Sequence, residues 1–299
     1  MKIPGKNFAR SRLFEYSNRI RNWRDRRKVF RSADLILRDA QGTRFVLYPW
    51  SRQYVLNLVR EEHERDDFRA LELLVREGAT TFDVGANIGK YAVRLSRLCG
   101  SAGRVFAFEP VLDTYWMLRE TLVLNRCENV TPVSVAICDR LGTTHMNLFE
   151  PEFSAWNGLG SPTMHVGGEV WVKPSRSVEV PAETLDHFCE KAGIERIDFL
   201  KVDVEGFEKR VFQGAGRLLT EKRIDAICFE ISQEPLRAAG YTPREVFETL
   251  KDFGYSSFVF DGRKGKFQGA VTDTQEYWHN YYATWRDLVG NTGSPNLIS

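Results

Sequence analysis

The sequence predicts an α/β fold, a mostly parallel sheet with helices on both faces, preceded by an N-terminal helix and hairpin extension. Three observations predict it. From about residue 80 to 260, short apolar runs alternate with amphipathic helical segments, which is the rhythm of strand–helix–strand crossovers in a parallel sheet. The first of these runs, Thr80-Thr81-Phe82, leads into an acid and a Gly-x-Asn-x-Gly turn over Asp83 to Gly89. About twenty residues further on, the run Val105-Phe106-Ala107-Phe108 ends in Glu109, the spacing at which a second parallel strand presents an acid at its tip.

The elements follow in order. Residues 1–31 carry eleven Lys/Arg against Glu15 and Asp25. The net charge of +2 is thus +9 in this arm and −7 in the remainder. Leu13, Tyr16, Ile20, Trp23 and Phe30 recur at three- to four-residue steps, interrupted by Arg27, the pattern of a basic amphipathic helix. Such a helix could lie on an anionic membrane or contact an acidic polymer, or pack its apolar stripe on the protein's own domain, the reading we favour. Residues 34–38 and 44–48 flank a turn and read as a β-hairpin. Residues 51–77 read as helix, with Leu56, Val59, Phe68, Leu71, Leu74 and Val75 inward and Gly78 as its stop.

The alternation proper gives strands at 80–84, 104–109 and 130–137, with helices from Gly89 to Leu98 and from Asp113 to Asn125. It breaks at 140–180, where Gly, Pro, Ser and the aromatics Phe153, Trp156 and Trp171 read as a long irregular insertion of the kind that serves as a functional loop or lid. It resumes with a helix at 183–192, a strand at 197–203, a helix at 206–220, a strand at 224–231, a helix at 243–253 and a strand at 255–260. Trp278 to Trp285 supply a last strand at the sheet edge. The division is therefore an arm and hairpin over 1–50 and one catalytic-type domain over 51–299, with its insertion at about 140–180.

At 299 residues, with 42% hydrophobic and 27% charged, the composition is that of an ordinary globular protein. No apolar run has the length of a membrane span, and the basic N-terminus lacks the apolar segment of a secretory signal. Cysteines 99, 127, 138, 189 and 228 form no Cys-x-x-Cys pair. An odd count without metal spacing argues for free thiols in a reducing, cytoplasmic setting.

The turn after the first strand is where chemistry is expected. Gly85 and Gly89 let backbone N–H groups approach a ligand, Asn87 tolerates a left-handed backbone, and the helix that follows offers its positive end. Asp83 would repel a pyrophosphate and suits a ligand with an amino group or a cation. S-adenosylmethionine has both, together with a ribose whose hydroxyls Glu109 could accept. Asp203 and Glu205, two apart where the fourth strand ends, share a side if the chain stays extended and form a charged cluster with Lys201. Glu208 more simply opens a helix. His145 and His165 are lone histidines in or beside the insertion and are weak candidates for a base. No metal ligand is assigned, because no histidine pair or dense acid cluster supports one, although Asp203 and Glu230 end neighbouring strands.

These motifs resemble the FkbM family of S-adenosylmethionine-dependent methyltransferases. The matching pieces are Phe82 to Gly89, Phe108-Glu109-Pro110, Val135 to Asp139, Glu183 to Asp186, Phe199 to Glu208, and Phe229-Glu230-Ile231, in the family's order over roughly 60–235. The Asp-x-Glu-Gly-x-Glu run at 203–208 is the most family-specific. The resemblance implies a class I methyltransferase (Rossmann-like) sheet with its last strand inserted antiparallel. It implies that Asp83, Gly85, Asn87 and Gly89 hold the methionine portion, Glu109 the ribose, and Ala136 and Asp139 the adenine, with Asp203 facing the methyl donor. Glu64 matches an acid found upstream in the family.

The expected function is O-methylation of a hydroxyl, on a sugar of a polysaccharide, glycolipid or related glycoconjugate. A polyketide-like secondary metabolite is the runner-up acceptor, and a non-catalytic S-adenosylmethionine-binding module is the alternative of another class. Nucleic acid is not expected as a partner, since Val202-Asp203-Val204-Glu205-Gly206 stands where amino-methylating enzymes carry an Asn/Asp-Pro-Pro-aromatic run.

Overall fold

The structure is a computed structural model and describes residues 35–39, 42–47, 64–160, 162–166 and 170–286. The basic arm and the first part, 51–63, of the helix expected over 51–77 lie outside these residues. Strands β1 (Leu35–Arg38) and β2 (Arg44–Leu47) form the expected antiparallel hairpin. The first described helix, α1, runs Glu64–Leu74. Then follow β3 (Thr80–Val84), α2 (Lys90–Cys99), β4 (Arg104–Phe108), α3 (Leu112–Leu124) and β5 (Val130–Val133). The hairpin is tied to the end of α3: Asn125 accepts from the Arg44 backbone N–H at 3.0 Å and donates to its carbonyl at 2.8 Å.

The expected third strand, 130–137, is two strands. The Val135 N–H donates to the Val133 carbonyl at 3.2 Å, a tight turn that carries β6 (Ala136–Ile137) out of the main sheet. The stretch 140–180 is likewise more ordered than its composition suggests. Strand β7 (Gly142–Leu148) is followed by a 3₁₀ turn at Pro151–Trp156, the hairpin β8 (Met164–Val166) and β9 (Val170–Val172), and β10 (Arg176–Glu183). β6, β10 and β7 make a separate three-stranded sheet. Its inner face is the alternating set Met146, Leu148 and Val180, packed on Ala136 and Val111.

Thr184 caps α4 (Leu185–Ala192), accepting from the His187 N–H at 3.2 Å, so Glu183 belongs to the strand and not to the helix. After β11 (Ile197–Val202), the helix expected at 206–220 is broken into α5 (Glu208–Gln213) and α6 (Gly216–Thr220). The break falls at Gly214, whose missing Cβ would lie 2.0 Å from the Cys138 carbonyl oxygen. The chain ends in β12 (Ile224–Ser232), α7 (Gln233–Ala238), α8 (Pro243–Asp252), β13 (Ser256–Asp261), β14 (Lys266–Gln268) and β15 (Trp278–Thr284).

The main sheet has the order β14-β13-β15-β12-β11-β3-β4-β5. β5, β4, β3, β11 and β12 are mutually parallel, and β15 is antiparallel to both β12 and β13. The last strand is therefore not at an edge, as its position in the chain suggested, but inserted between two parallel neighbours, as the family resemblance implies. Helices cover both faces. Phe82, Phe108, Phe188, Leu200, Phe229 and Tyr281 pack on one side, and Phe68, Leu71, Leu95, Phe199, Cys228 and Tyr282 on the other. Adjacent Phe199 and Leu200 thus enter different cores, which is why the central strands are continuous apolar runs and not alternating ones. All five cysteines are buried free thiols. Among the described residues no helix is long and apolar enough to cross a membrane.

Candidate active site

The parallel strands deliver an acid at each of four adjacent tips: Glu109 after β4, Asp83 in β3, Asp203 after β11 and Glu230 in β12. Open α/β sheets bind ligands at this edge. The turn after β3 is built for close approach. Gly85, Asn87 and Gly89 have φ of 84°, 49° and 96°. A Cβ on Gly85 would fall 1.7 Å from the Asp203 carbonyl oxygen, so β3 and β11 meet there with no side chain between them. The Asp203 N–H donates to the Val84 carbonyl at 2.9 Å and seals the contact.

Two buried atoms in this turn, Asp83 Oδ2 and Asn87 Oδ1, have no hydrogen-bond partner. A buried orphan acceptor is costly unless a ligand supplies the donor. Burial pushes the Asp83 carboxyl up to about 7, with Lys201 opposing and Asp203 adding to the rise. Glu109 is also buried and also raised to about 7 by burial, against the bonds it accepts from the Val111 N–H at 2.8 Å and the Asn87 N–H at 3.1 Å. These residues fit a donor carrying an ammonium group at Asp83 and two ribose hydroxyls at Glu109, and both carboxylates would be charged more readily with it in place.

Lys201 is 1% exposed, and its Nζ lies 3.4 Å from Asp203 Oδ2, 3.1 Å from Asn280 Oδ1 and 5.0 Å from the centre of the Tyr91 ring. Burial opposes its charge, but Asp203, Cys228, Glu230 and Asp67 outweigh it and hold the ammonium well above its usual pKa. Asn280 in turn donates to Asp67 at 2.9 Å, and Tyr282 donates to the other Asp67 oxygen at 2.6 Å. Asp203, Glu205 and Glu230 bring carboxylate oxygens within 4.8 Å of one another, a denser group of acids than the sequence suggested. Burial and this mutual repulsion raise Glu205 and Glu230 well above the usual carboxylate range.

The loop that holds this group is not extended. Glu205 has φ 51° and Gly206 φ 90°, so Asp203 and Glu205 come together through a left-handed turn and not through strand alternation. Glu208 closes the loop, its Oε1 accepting from the Val204 and Gly206 N–H groups at 3.2 Å. Its helix-opening role is thus also a loop-clamping one. Gly158 of the insertion sits on the same loop, where a Cβ would be 3.1 Å from the Glu205 Cβ.

The remaining expected residues are placed as follows. Ala136 is buried beside Val111, two residues beyond Glu109. Asp139 pairs with Arg140 at 3.1 and 3.3 Å; burial raises its pKa, and Arg140 and Arg210 more than offset that, leaving it lowered. Glu64 opens α1, while Asp67, one turn on, reaches the site through Asn280. His145 is exposed opposite Glu179 in the accessory sheet, and His165 pairs with Trp171 across the β8–β9 hairpin. Trp156 stacks on Phe153 at 5.2 Å and meets Phe149 edge-on, an anchor for the 3₁₀ turn. Sequence reasoning missed Asp67, Asn280 and Trp278. For Asp67 the helical spacing from Glu64 was an available signal; for the two residues of β15 there was none.

The sheet order, its single antiparallel insertion and the acids at the tips define a class I S-adenosylmethionine-dependent methyltransferase. The methyltransferase FkbM domain matches residues 83–257, and the chain belongs to this family. It is similar to the 2-O-methyltransferase NoeI of Sinorhizobium fredii, 30% identical over 188 residues, covering 61% of this chain and 75% of that one. It is also similar to the hexuronic acid methyltransferase AglP of Haloferax volcanii, 28% identical over 208 residues, covering 69% and 71%. Among solved structures, a SAM-dependent methyltransferase from Aquifex aeolicus aligns with a TM-score of 0.41 at 15% identity, over 78% of this chain and 98% of that one.

Proposed function

We propose that the enzyme methylates a hydroxyl on a sugar of a polysaccharide, glycolipid or other glycoconjugate. The observation that carries the reading is the row of four strand-tip acids, with Asp83 Oδ2 and Asn87 Oδ1 left unpartnered beside it. The names of the two relatives, a 2-O-methyltransferase and a hexuronic acid methyltransferase, support a sugar acceptor.

S-adenosylmethionine, when bound, supplies an activated methyl group on a positively charged sulfur. Asp83 accepts from the amino group, with Gly85, Asn87 and Gly89 giving the backbone room to approach. Glu109 accepts from the ribose hydroxyls, Ala136 provides an apolar wall for the adenine, and Asp139 lies at its rim. Asp203 faces the methyl donor, with Lys201 fixing its carboxylate and Glu205 completing the group. Little charge develops that the protein must stabilise, so alignment and exclusion of water do most of the work.

The test is transfer of labelled methyl from S-adenosylmethionine to neutral and uronic-acid-bearing oligosaccharides by the full chain, with Glu109→Ala as control. Alkali-stable label on the glycan, lost in the variant, is the expected result. Label released by mild alkali would place the methyl on a carboxyl group. Turnover confined to polyketide-type hydroxyls would overturn the sugar assignment. Donor binding without turnover on either class would favour a non-catalytic module.

A further inference from the structure

We propose that Glu230 is the general base that takes the proton from the acceptor hydroxyl; this rests on the methyltransferase reading of the site. The strand order supplies the first argument. The donor's seat lies over β4 and β3, at Glu109, Asp83 and Gly85, and Asp203 borders it directly through the Gly85 contact. In-line displacement requires the incoming oxygen on the far side of the methyl carbon from sulfur. One strand further from the donor's seat, at the tip of β12, stands Glu230.

The second argument is elimination within the cluster. Asp203 Oδ2 is already engaged by the Lys201 ammonium at 3.4 Å, and its backbone carbonyl and N–H are held against Gly85 and Val84. Glu205 lies on the left-handed loop with Gly158 against its Cβ. Glu230 faces Asp203, Glu205 and Lys201 on one side and, across the strand pair, lies level with Asn280 of β15, two residues from Trp278. On the other face of β15, His279 stands against Tyr281. Trp278 is 39% exposed and, with Asp67, His279 and Asn280, lines a cavity of about 320 Å³ that reaches Glu230's strand partner Asn280 and not Glu230 itself; its aromatic face suits a sugar ring.

The step balances as follows. The acceptor oxygen forms the new O–CH₃ bond with its lone pair, and the C–S bond breaks with its electron pair left on sulfur as a neutral thioether. The hydroxyl proton passes to a Glu230 carboxylate oxygen and then to solvent. Burial and two neighbouring carboxylates make Glu230 a stronger base than a free carboxylate.

The test uses the full chain and the variants E230Q and E205Q. E230Q keeps the size of the side chain and one acceptor oxygen but removes its charge, and is expected to lower kcat about 100-fold or more while S-adenosylmethionine affinity by calorimetry stays unchanged. E205Q removes one like charge and is expected to shift the acidic limb of the kcat–pH profile to lower pH, which a structural role for Glu230 would not produce. A carboxyl ¹³C signal absent from E230Q is expected to titrate above the ordinary value of about 4.3; this readout needs no acceptor and stands whichever glycan is right. An E230Q enzyme that keeps kcat and its acidic limb would overturn the proposal, as would a Glu230 carboxyl titrating at the ordinary value. Loss of turnover on chelation, restored by a divalent cation, would also overturn it, since the three acids would then be a ligand set.

Discussion

Gly85 and Asp203 meet backbone to backbone: the space that a Cβ on Gly85 would occupy is already filled by the Asp203 carbonyl oxygen, 1.7 Å away. The glycine turn after β3 and the acidic loop after β11 are therefore one construction. Moving either displaces the other.

Gly85→Ala is the sharpest test of that construction. The left-handed φ of 84° strains alanine and the added methyl forces the strands apart. Together these are expected to cost about 3 kcal/mol or more, read as a lower denaturant midpoint, and to abolish S-adenosylmethionine binding by calorimetry.

Donor affinity should depend on pH with a definite sign. Asp83 and Glu109 have carboxyl pKa values near 7, raised by burial from 3.8 and 4.5. Between those values the folded, ligand-free protein holds protons that the unfolded chain has released. Its stability therefore falls as pH rises through this window, and the full cost of two buried charges is present above 7. The cationic donor binds the ionised form. Affinity should thus weaken as pH drops below 7, by roughly tenfold per unit for each proton taken up, with proton release visible in buffers of different ionisation enthalpy. Asp83→Asn should raise the ligand-free Tm at pH 8 and lose the donor.

Asn280 links the buried Lys201 ammonium to the half-buried Asp67 carboxylate, accepting from Lys201 and donating to Asp67. Asn280→Ala leaves both short of a partner and is expected to cost about 3 kcal/mol. In a double variant with Lys201→Met the loss should be less than the sum of the two single losses, because the same bond is counted in both. Urea titrations of the four proteins at one pH decide it.

Asn147 holds the insertion over the site. Its amide donates to the Gly160 carbonyl at 2.9 Å and its backbone pairs with Gly158, which rests on Glu205. Asn147→Ala should loosen that cover and raise acceptor KM about tenfold without changing donor Kd. An equal loss of donor affinity would show that the insertion serves both substrates.

The site was legible where local chemistry announces itself. Acids and glycines at the ends of apolar runs locate Asp83, Gly85, Asn87, Glu109 and Asp203, because a strand tip needs only its own sequence to be recognised. The left-handed turn at Glu205 was not visible, since a non-glycine residue is placed there by the surrounding loop and by the Glu208 clamp. The accessory sheet was misread as irregular because Gly, Pro and Ser in its connections masked the alternation Met146, Leu148 and Val178, Val180, Ala182. The partnership of Lys201 with Asn280 spans 79 residues. It is fixed by where β15 enters the sheet, a question of long-range register on which local pattern is silent.

That point of entry has a consequence for biosynthesis. On the ribosome, β12 and β13 are made before the strand that separates them. Both run in the same direction, so nothing in their polarity forbids a premature pairing that would close the gap. The nascent chain must keep two bare edges apart until residues 278–284 arrive, and Lys201 stays without Asn280 until they do. The charged centre is thus completed only by the last strand, when the tail slots in and Asn280 joins Lys201 to Asp67.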